Sequence, residues 1–221
     1  MSHTAPAASA SEARATPRQR LPADTRIHQI LDAALQAFVQ EGYTGTRIDD
    51  IASRAGLSKG GIYTHFKSKE DIFEALLNRT LCPMEGGGPV CQPGEGVTVD
   101  TVIERVLDRM YDAFNDPQKR LTLRLLLSDG ARVKEHVARW RQAVLDPYLA
   151  AIEALVQQGV AQGTLRDSVV KQSPWLLLAP GVFAAMWQLA LDDNPHDALA
   201  AQRKAHAAML RELLAPAIPA I

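Results

Sequence analysis

The chain is short of cysteine, of aromatic residues and of any imbalance between positive and negative charge, and each shortage removes a class of protein. Two cysteines in 221 residues cannot build a disulfide framework, and the N-terminal stretch has no apolar signal segment, which together predict a reducing, cytoplasmic setting. Cys82 and Cys91 are read as free thiols. They flank a stretch, 82–96, in which eight of fifteen residues are Gly or Pro, so a loop disulfide is the alternative in an oxidising compartment. No Cys/His cluster has zinc-ligand spacing, and neither a metal nor a cofactor is expected. Twenty-four basic residues against twenty-five acidic leave a formal net charge of −1, so contact with a polyanion has to come from local placement of charge. Long apolar runs are scarce as well. The longest, 175–191, holds seventeen residues with Gln188 as its only strongly polar member. Pro180-Gly181 interrupts it, Asp192-Asp193 closes it and no second span accompanies it, which favours a helix buried between its own core and a partner subunit over a membrane crossing.

Strand-like alternation is nearly absent too, and what is present is helical periodicity. Residues 1–24, rich in Ala, Ser, Pro, Thr and Arg, cannot bury enough apolar surface to offset chain entropy and are read as a disordered arm. Its arginines suit either a solvated tail or a minor-groove arm. Ile27, Ile30, Leu31, Ala34, Leu35, Phe38 and Val39 then form one apolar stripe that stops at Gly42. Thr46, three residues before Asp49, predicts the start of a short second helix that carries Ile48, Ile51 and Ala52 and ends at Gly56. Ser58 and Ser68 are placed to cap a third and a fourth helix, the latter carrying Ile72, Phe73, Leu76 and Leu77. Five longer helices follow: 98–114, one opened by Asp116-Pro117, 131–162 with a break marked by Asp146-Pro147, and two opened by Ser173-Pro174 and Asn194-Pro195. The fold class is all-α, with about nine helices and a division into an arm (1–24), a three-helix N-terminal domain (25–70) and a larger regulatory domain (71–221).

The tight Ala55-Gly56-Leu57 connection has the spacing of a helix-turn-helix, whose second helix enters the major groove. Ala52 is small where the helices cross, Gly56 admits a positive φ, and Ile62 anchors the recognition helix. Between Leu57 and Lys69 stand Lys59, Lys67, Lys69 and His65 with no acid, the local bias that phosphate contact needs. Gly60-Gly61 reads either as a helical segment that lies close against DNA or as turn residues ahead of a later helix start.

These residues carry a resemblance. The run Arg47-Ile-Asp-Asp-Ile-Ala-Ser-Arg-Ala-Gly-Leu-Ser-Lys-Gly-Gly-Ile-Tyr-Thr-His-Phe-Lys-Ser-Lys-Glu-Asp-Ile resembles the DNA-binding domain of TetR-family transcriptional regulators, over about 26–77. The resemblance implies phosphate contacts from Thr46, Arg47, Tyr63 and His65, a backbone clamp from Lys69, and base reading by Lys59, Gly60, Gly61 and Thr64. Gly61 departs from the family, where a side chain such as Thr or Ala is common. The implied partners are double-stranded operator DNA, a small-molecule effector and a second copy of the chain, with no membrane.

An enzyme is not expected, since no phosphate-binding loop, metalloprotease motif or serine elbow is present. The reading is a dimeric repressor released from its operator by a ligand; the alternative is an all-α ligand carrier or protein-interaction module with a vestigial helix-turn-helix. Aromatic residues number only twelve. Those beyond the N-terminal domain suggest an effector pocket of Tyr111, Phe114, Trp140, Tyr148, Trp175 and Phe183 with His136 and Arg139 as polar handles, or else plain core. The last two helices offer a dimer interface of Phe183, Met186, Ala198, Ala201, Ala205, Ala208 and Met209.

Overall fold

The structure, a computed structural model, describes residues 23–82, 96–191 and 196–216. Cys91, the predicted arm up to residue 22 and the Asp192-Asp193 and Asn194-Pro195 signals lie outside the described residues, as does the side chain of Ala198. Among the described residues the fold is all-α, without strands.

Helix α1 (Ala23–Gly45) buries Ile30, Leu31, Ala34, Leu35 and Phe38 as its periodicity requires, but Val39 is 45% exposed, at the edge of the stripe. Its regular course breaks at Gly42, whose φ of 73° leaves the following turn to be closed by other means. Helix α2 (Ile48–Arg54) starts one residue later than Thr46 predicts: Arg47 occupies the cap, and its N–H donates to the Asp50 carboxylate at 2.7 Å. Gly56, at φ 64°, turns the chain, and the Leu57 N–H closes the turn on the Ala52 carbonyl. In α3 (Lys59–Tyr63) and α4 (Lys69–Thr80), Ser58 and Ser68 accept from the Gly61 and Asp71 N–H groups, the caps expected of them. Both glycines of the Gly60-Gly61 pair are helical, which settles their alternative.

Helix α5 (99–115) contains a π-helical turn at Glu104–Asp108. Helix α6 (Pro117–Asp129) has Asp116 as its cap and Pro117 at its first position. Helix α7 (134–161) follows a 3-10 turn at Gly130–Val133. It absorbs Pro147 by a π-helical turn at Arg141–Leu145, which relieves the missing N–H without ending the helix. The run 175–191 is not one helix: Pro174–Leu177 is a 3-10 turn, and α8 (Ala179–Leu191) begins only at the Ala-Pro-Gly sequence. Helix α9 (His196–Leu214) closes the described bundle. No helix among the described residues is long and apolar enough to cross a membrane.

Two cores result. One joins α5, most of α7, α8 and α9 through Val106, Leu107, Ile152, Leu155 and Leu210. The other joins α1 to α4 around a ring cluster of Phe38, Tyr43 and Phe73, with centroids 5.4 to 6.1 Å apart. This second core also takes in Leu125, Val133 and Trp140 from beyond residue 82, and α4 supplies it with Ile72, Phe73, Leu76 and Leu77.

Candidate nucleic-acid interface

Helix α3 and the turn that follows it stand on two buried side chains, Ile62 and Phe66, and the other residues from 59 to 65 are exposed or half-buried. Successive residues of an α-helix are rotated by about 100°, so Gly60 and Thr64 form the ridge opposite Ile62, with Tyr63 on one flank and Gly61 and His65 on the other. Tyr63 is 48% exposed, large for an unpaired aromatic ring. Thr64 is exposed and donates its hydroxyl to the Gly60 carbonyl at 3.0 Å; His65 is half-buried. Lys59 is exposed, and its ammonium meets the Asp49 carboxylate at 2.8 Å across the α2–α3 junction. That hydrogen bond and the Asp49 charge raise the Lys59 pKa. Asp49 thereby holds Lys59 at the base of α3 in the absence of a polyanion. Arg47 is exposed beside it.

Two of the expected phosphate contacts are turned inward. Thr46 is only 1% exposed, and its hydroxyl donates at 2.8 Å to the Gly42 carbonyl, which also accepts the Thr46 N–H at 3.1 Å. Lys69, from the first position of α4, donates to the carbonyls of Tyr43 and Thr46 at 2.6 and 2.8 Å, with its Nζ 4.4 Å from the centre of the Tyr43 ring. Burial lowers the Lys69 pKa, against the raising influence of Glu70 and Asp129. The Tyr43 hydroxyl donates to Glu70 at 2.7 Å; burial and this bond raise the Tyr43 pKa. For Glu70, burial pushes upward, but the bonds from Tyr43, backbone and Ser68 and the Lys69 charge hold it below its ordinary value. Lys69 and Thr46 therefore frame the interface by fixing the α1–α2 turn to α4. Tyr43 and Glu70 were missed by sequence reasoning, and the signal was an aromatic residue directly after a helix-stopping glycine. Lys67, left out of the candidate contacts although it belongs to the acid-free run, is exposed.

The expected effector residues do not come together. Tyr111, Phe114 and Tyr148 are buried in the α5–α9 core, whereas Trp140 belongs to the N-terminal core. Trp175 and Phe183 face outward, 45% and 68% exposed, because the helix expected over 175–191 is broken and α8 buries Gly181 and Ala185 instead. His136 and Arg139 reach α4: His136 Nε2 lies 3.6 Å from Asp71, and Arg139 meets Glu74 through Nε and Nη2 at 2.9 and 2.6 Å. An open cleft of about 300 Å³ between these helices is lined by Asp71, Glu74, Ala75, Asn78 and Arg139. A different buried polar pair, unforeseen, lies within the regulatory core. Tyr111 Oη and His206 Nδ1 are 3.3 Å apart, with burial lowering the His206 pKa and pushing the Tyr111 hydroxyl up to about 12.

The expected dimer residues other than Ala198 are exposed. Phe183 and Met186 are exposed, as are Trp187 and Leu191 on the same helix, which carries no charged residue; Phe183 and Trp187 stack at 6.4 Å. On α9, Ala201, Ala205, Ala208 and Met209 are exposed on the side opposite buried Leu199, Ala207 and Leu210.

A helix-turn-helix on a four-helix head, joined through α4 to a larger helical bundle, defines a class of DNA-binding regulators. Comparison with known proteins agrees. The sequence model of the family described as "Bacterial regulatory proteins, tetR family" matches residues 30–76. The chain is 33% identical over 106 residues to the uncharacterized HTH-type transcriptional regulator TtgW of Pseudomonas putida, covering 46% of this chain and 72% of that protein. It is 30% identical over 147 residues to the HTH-type transcriptional regulator SrpR of Pseudomonas putida, spanning 65% of each. Among solved structures, SmeT, the repressor of the Stenotrophomonas maltophilia multidrug efflux pump SmeDEF, superposes with a TM-score of 0.70 at 20% identity over 88% of this chain and 94% of its own. SmeT in complex with triclosan gives 0.71 at 20% identity over 89% and 96%. The chain belongs to the tetR family of bacterial regulatory proteins: it is a TetR-family transcriptional regulator.

Proposed function

We propose that this regulator is a homodimeric, cytoplasmic repressor that binds duplex operator DNA through α3 and leaves it when a small molecule occupies the regulatory bundle. The observation that carries the reading is the acid-free run 57–69, which presents Lys59, Tyr63, Thr64, His65 and Lys67 around a bare glycine ridge, with Arg47 beside it and Asp49 pairing Lys59. Phosphate contacts from Arg47, Tyr63 and His65 set register, and Lys59, Gly60, Gly61 and Thr64 face base edges. The functional division is then an arm, a reading head and a regulatory domain, with α4 common to the last two.

Dimerisation is supported by the uncharged outer face of α8, since a contiguous apolar patch of this kind is rare on a monomer. Two copies packed through α8 and α9 make a four-helix bundle and set two recognition helices at a fixed spacing. The effector is a small, largely apolar molecule held among α5, α7 and α9, close to Tyr111, Phe114 and Tyr148; the triclosan complex of a protein of this fold supports that class. No catalytic role is assigned, in keeping with relatives that are regulators.

The test is a footprint on the DNA upstream of the protein's own coding sequence, repeated with candidate ligands. A protected two-fold site that is lost on ligand addition is the expected result. Absence of any protected site, or ligands that bind tightly without altering protection, defeats the DNA-binding and the release parts respectively.

A further inference from the structure

Gly61 lies in the middle of a five-residue helix, where glycine is the least favourable residue other than proline. Nothing in the fold asks for it there. Its φ is not positive, and a Cβ built at this position meets only Leu57 Cβ and Ser58 Oγ at 3.5 Å and Leu57 Cδ2 at 3.6 Å, ordinary van der Waals contacts. The Ser58 cap uses the Gly61 N–H, which any residue but proline supplies. Alanine there would make α3 more stable without disturbing its neighbours. The glycine costs the free protein stability and returns nothing to it, so its benefit has to lie with whatever meets α3 from outside.

Its place on the helix says what that is. Gly61 is half-exposed, about 100° round from buried Ile62 and next to the Gly60–Thr64 ridge. On that flank the space a Cβ would take is left open beside Leu57 Cβ and Cδ2 and the Ser58 hydroxyl, so the backbone at Gly61 is bare next to an apolar side chain. We propose that Gly61 is a specificity-determining residue that acts by lacking a side chain: it admits the protruding C5-methyl group of a thymine against the bare backbone, and so selects the base pair beneath it. The inference rests on α3 being the recognition helix. Direct readout in the major groove includes apolar contact with that methyl group, and backbone offers such contact only where no Cβ intervenes.

The experiment uses the full chain and its Gly61→Ala and Gly61→Thr variants. Each is melted in the absence of DNA, and each is used to select sites from a randomised duplex library, with the wild-type site then remade with uracil in place of thymine. The expected result has two opposite signs. Both variants melt higher than wild type, while their affinity for the wild-type site falls by about tenfold or more, the usual scale for one misread base pair. Their selected sites change at a thymine, and removing that thymine's methyl group weakens wild type more than Gly61→Ala. Variants that select the same site with unchanged affinity overturn the proposal, as does a loss of affinity that leaves base preference and the uracil effect unaltered. Failure of the wild-type chain to select any site is a different outcome, and removes the recognition-helix reading itself.

Discussion

The Lys69 ammonium donates to the Tyr43 carbonyl at 2.6 Å, across 26 residues of sequence, and so fastens the first turn of α4 to the turn between α1 and α2. A cation held in this way leaves its charge half spent before any phosphate arrives. Lys69→Met should therefore lower affinity for all DNA sequences while leaving the salt dependence of binding nearly unchanged. Arg47→Ala, by contrast, removes a proposed phosphate contact and should reduce the slope of log affinity against log salt by about one. Titrations at several salt concentrations check both, and a reduced slope for Lys69→Met would return that residue to the phosphate contacts.

Phe73 sits at the centre of the N-terminal core, fully buried and edge-on to Tyr43. Its truncation to alanine should cost about 3 to 5 kcal/mol, as expected for a large ring removed from a packed core. Chemical denaturation checks the figure, and a loss below about 1 kcal/mol would mean that the ring cluster is not the keystone of the head.

Phe183→Glu or Trp187→Glu should yield folded monomers, because each puts a charge into the exposed apolar face proposed to meet a second copy. Sedimentation reads the association state. Operator affinity should fall together with dimerisation, since one head alone makes too few phosphate contacts.

The Arg139 and Glu74 side chains join α7 to α4 beside the N-terminal core. Arg139→Glu should alter the ligand's effect on DNA affinity more than ligand binding itself. Combining it with Glu74→Arg should restore the response, as reversal of a true pair requires. Parallel titrations of ligand and DNA separate the two effects; a double variant no better than the single one breaks the link.

Burial holds His206 neutral below its ordinary pKa of 6.5. The unfolded chain takes up a proton at that residue at a higher pH than the folded chain does, so stability is full above 6.5 and declines as pH falls below it. His206→Phe should remove part of that decline, seen as a flatter melting temperature between pH 6.5 and 5. Identical slopes for the two proteins would show that other groups carry the acid sensitivity.

Much of the head was legible because its signals are local. Ser58, Ser68 and Gly56, like Asp116-Pro117 further along the chain, act on residues within one turn, and their types announce what they do. The inward course of Lys69 was not legible, because it depends on carbonyls set free by the break at Gly42, and periodicity does not record where a spare acceptor points. Arg139 was misplaced for a related reason: its partner Glu74 lies 65 residues back, and only packing of α7 on α4 joins them. The scattered aromatic residues share one composition signal but three fates. Tyr111 enters the regulatory core, Trp140 the N-terminal core and Phe183 the outer surface, according to which helix each helix meets.

Because Leu125, Val133 and Trp140 complete the core that α1 to α4 begin, the reading head has no clean seam. A fragment cut after residue 82 would open three holes in its own interior and expose the apolar back of α4. Exchanging heads between relatives would meet the same obstacle: a graft that replaces only the first four helices sets foreign side chains against these three. Recombination that keeps such a protein folded has to carry matched partners from two distant stretches of the chain. The stretch from Leu125 to Trp140 has to stay matched to the head for that core to remain filled.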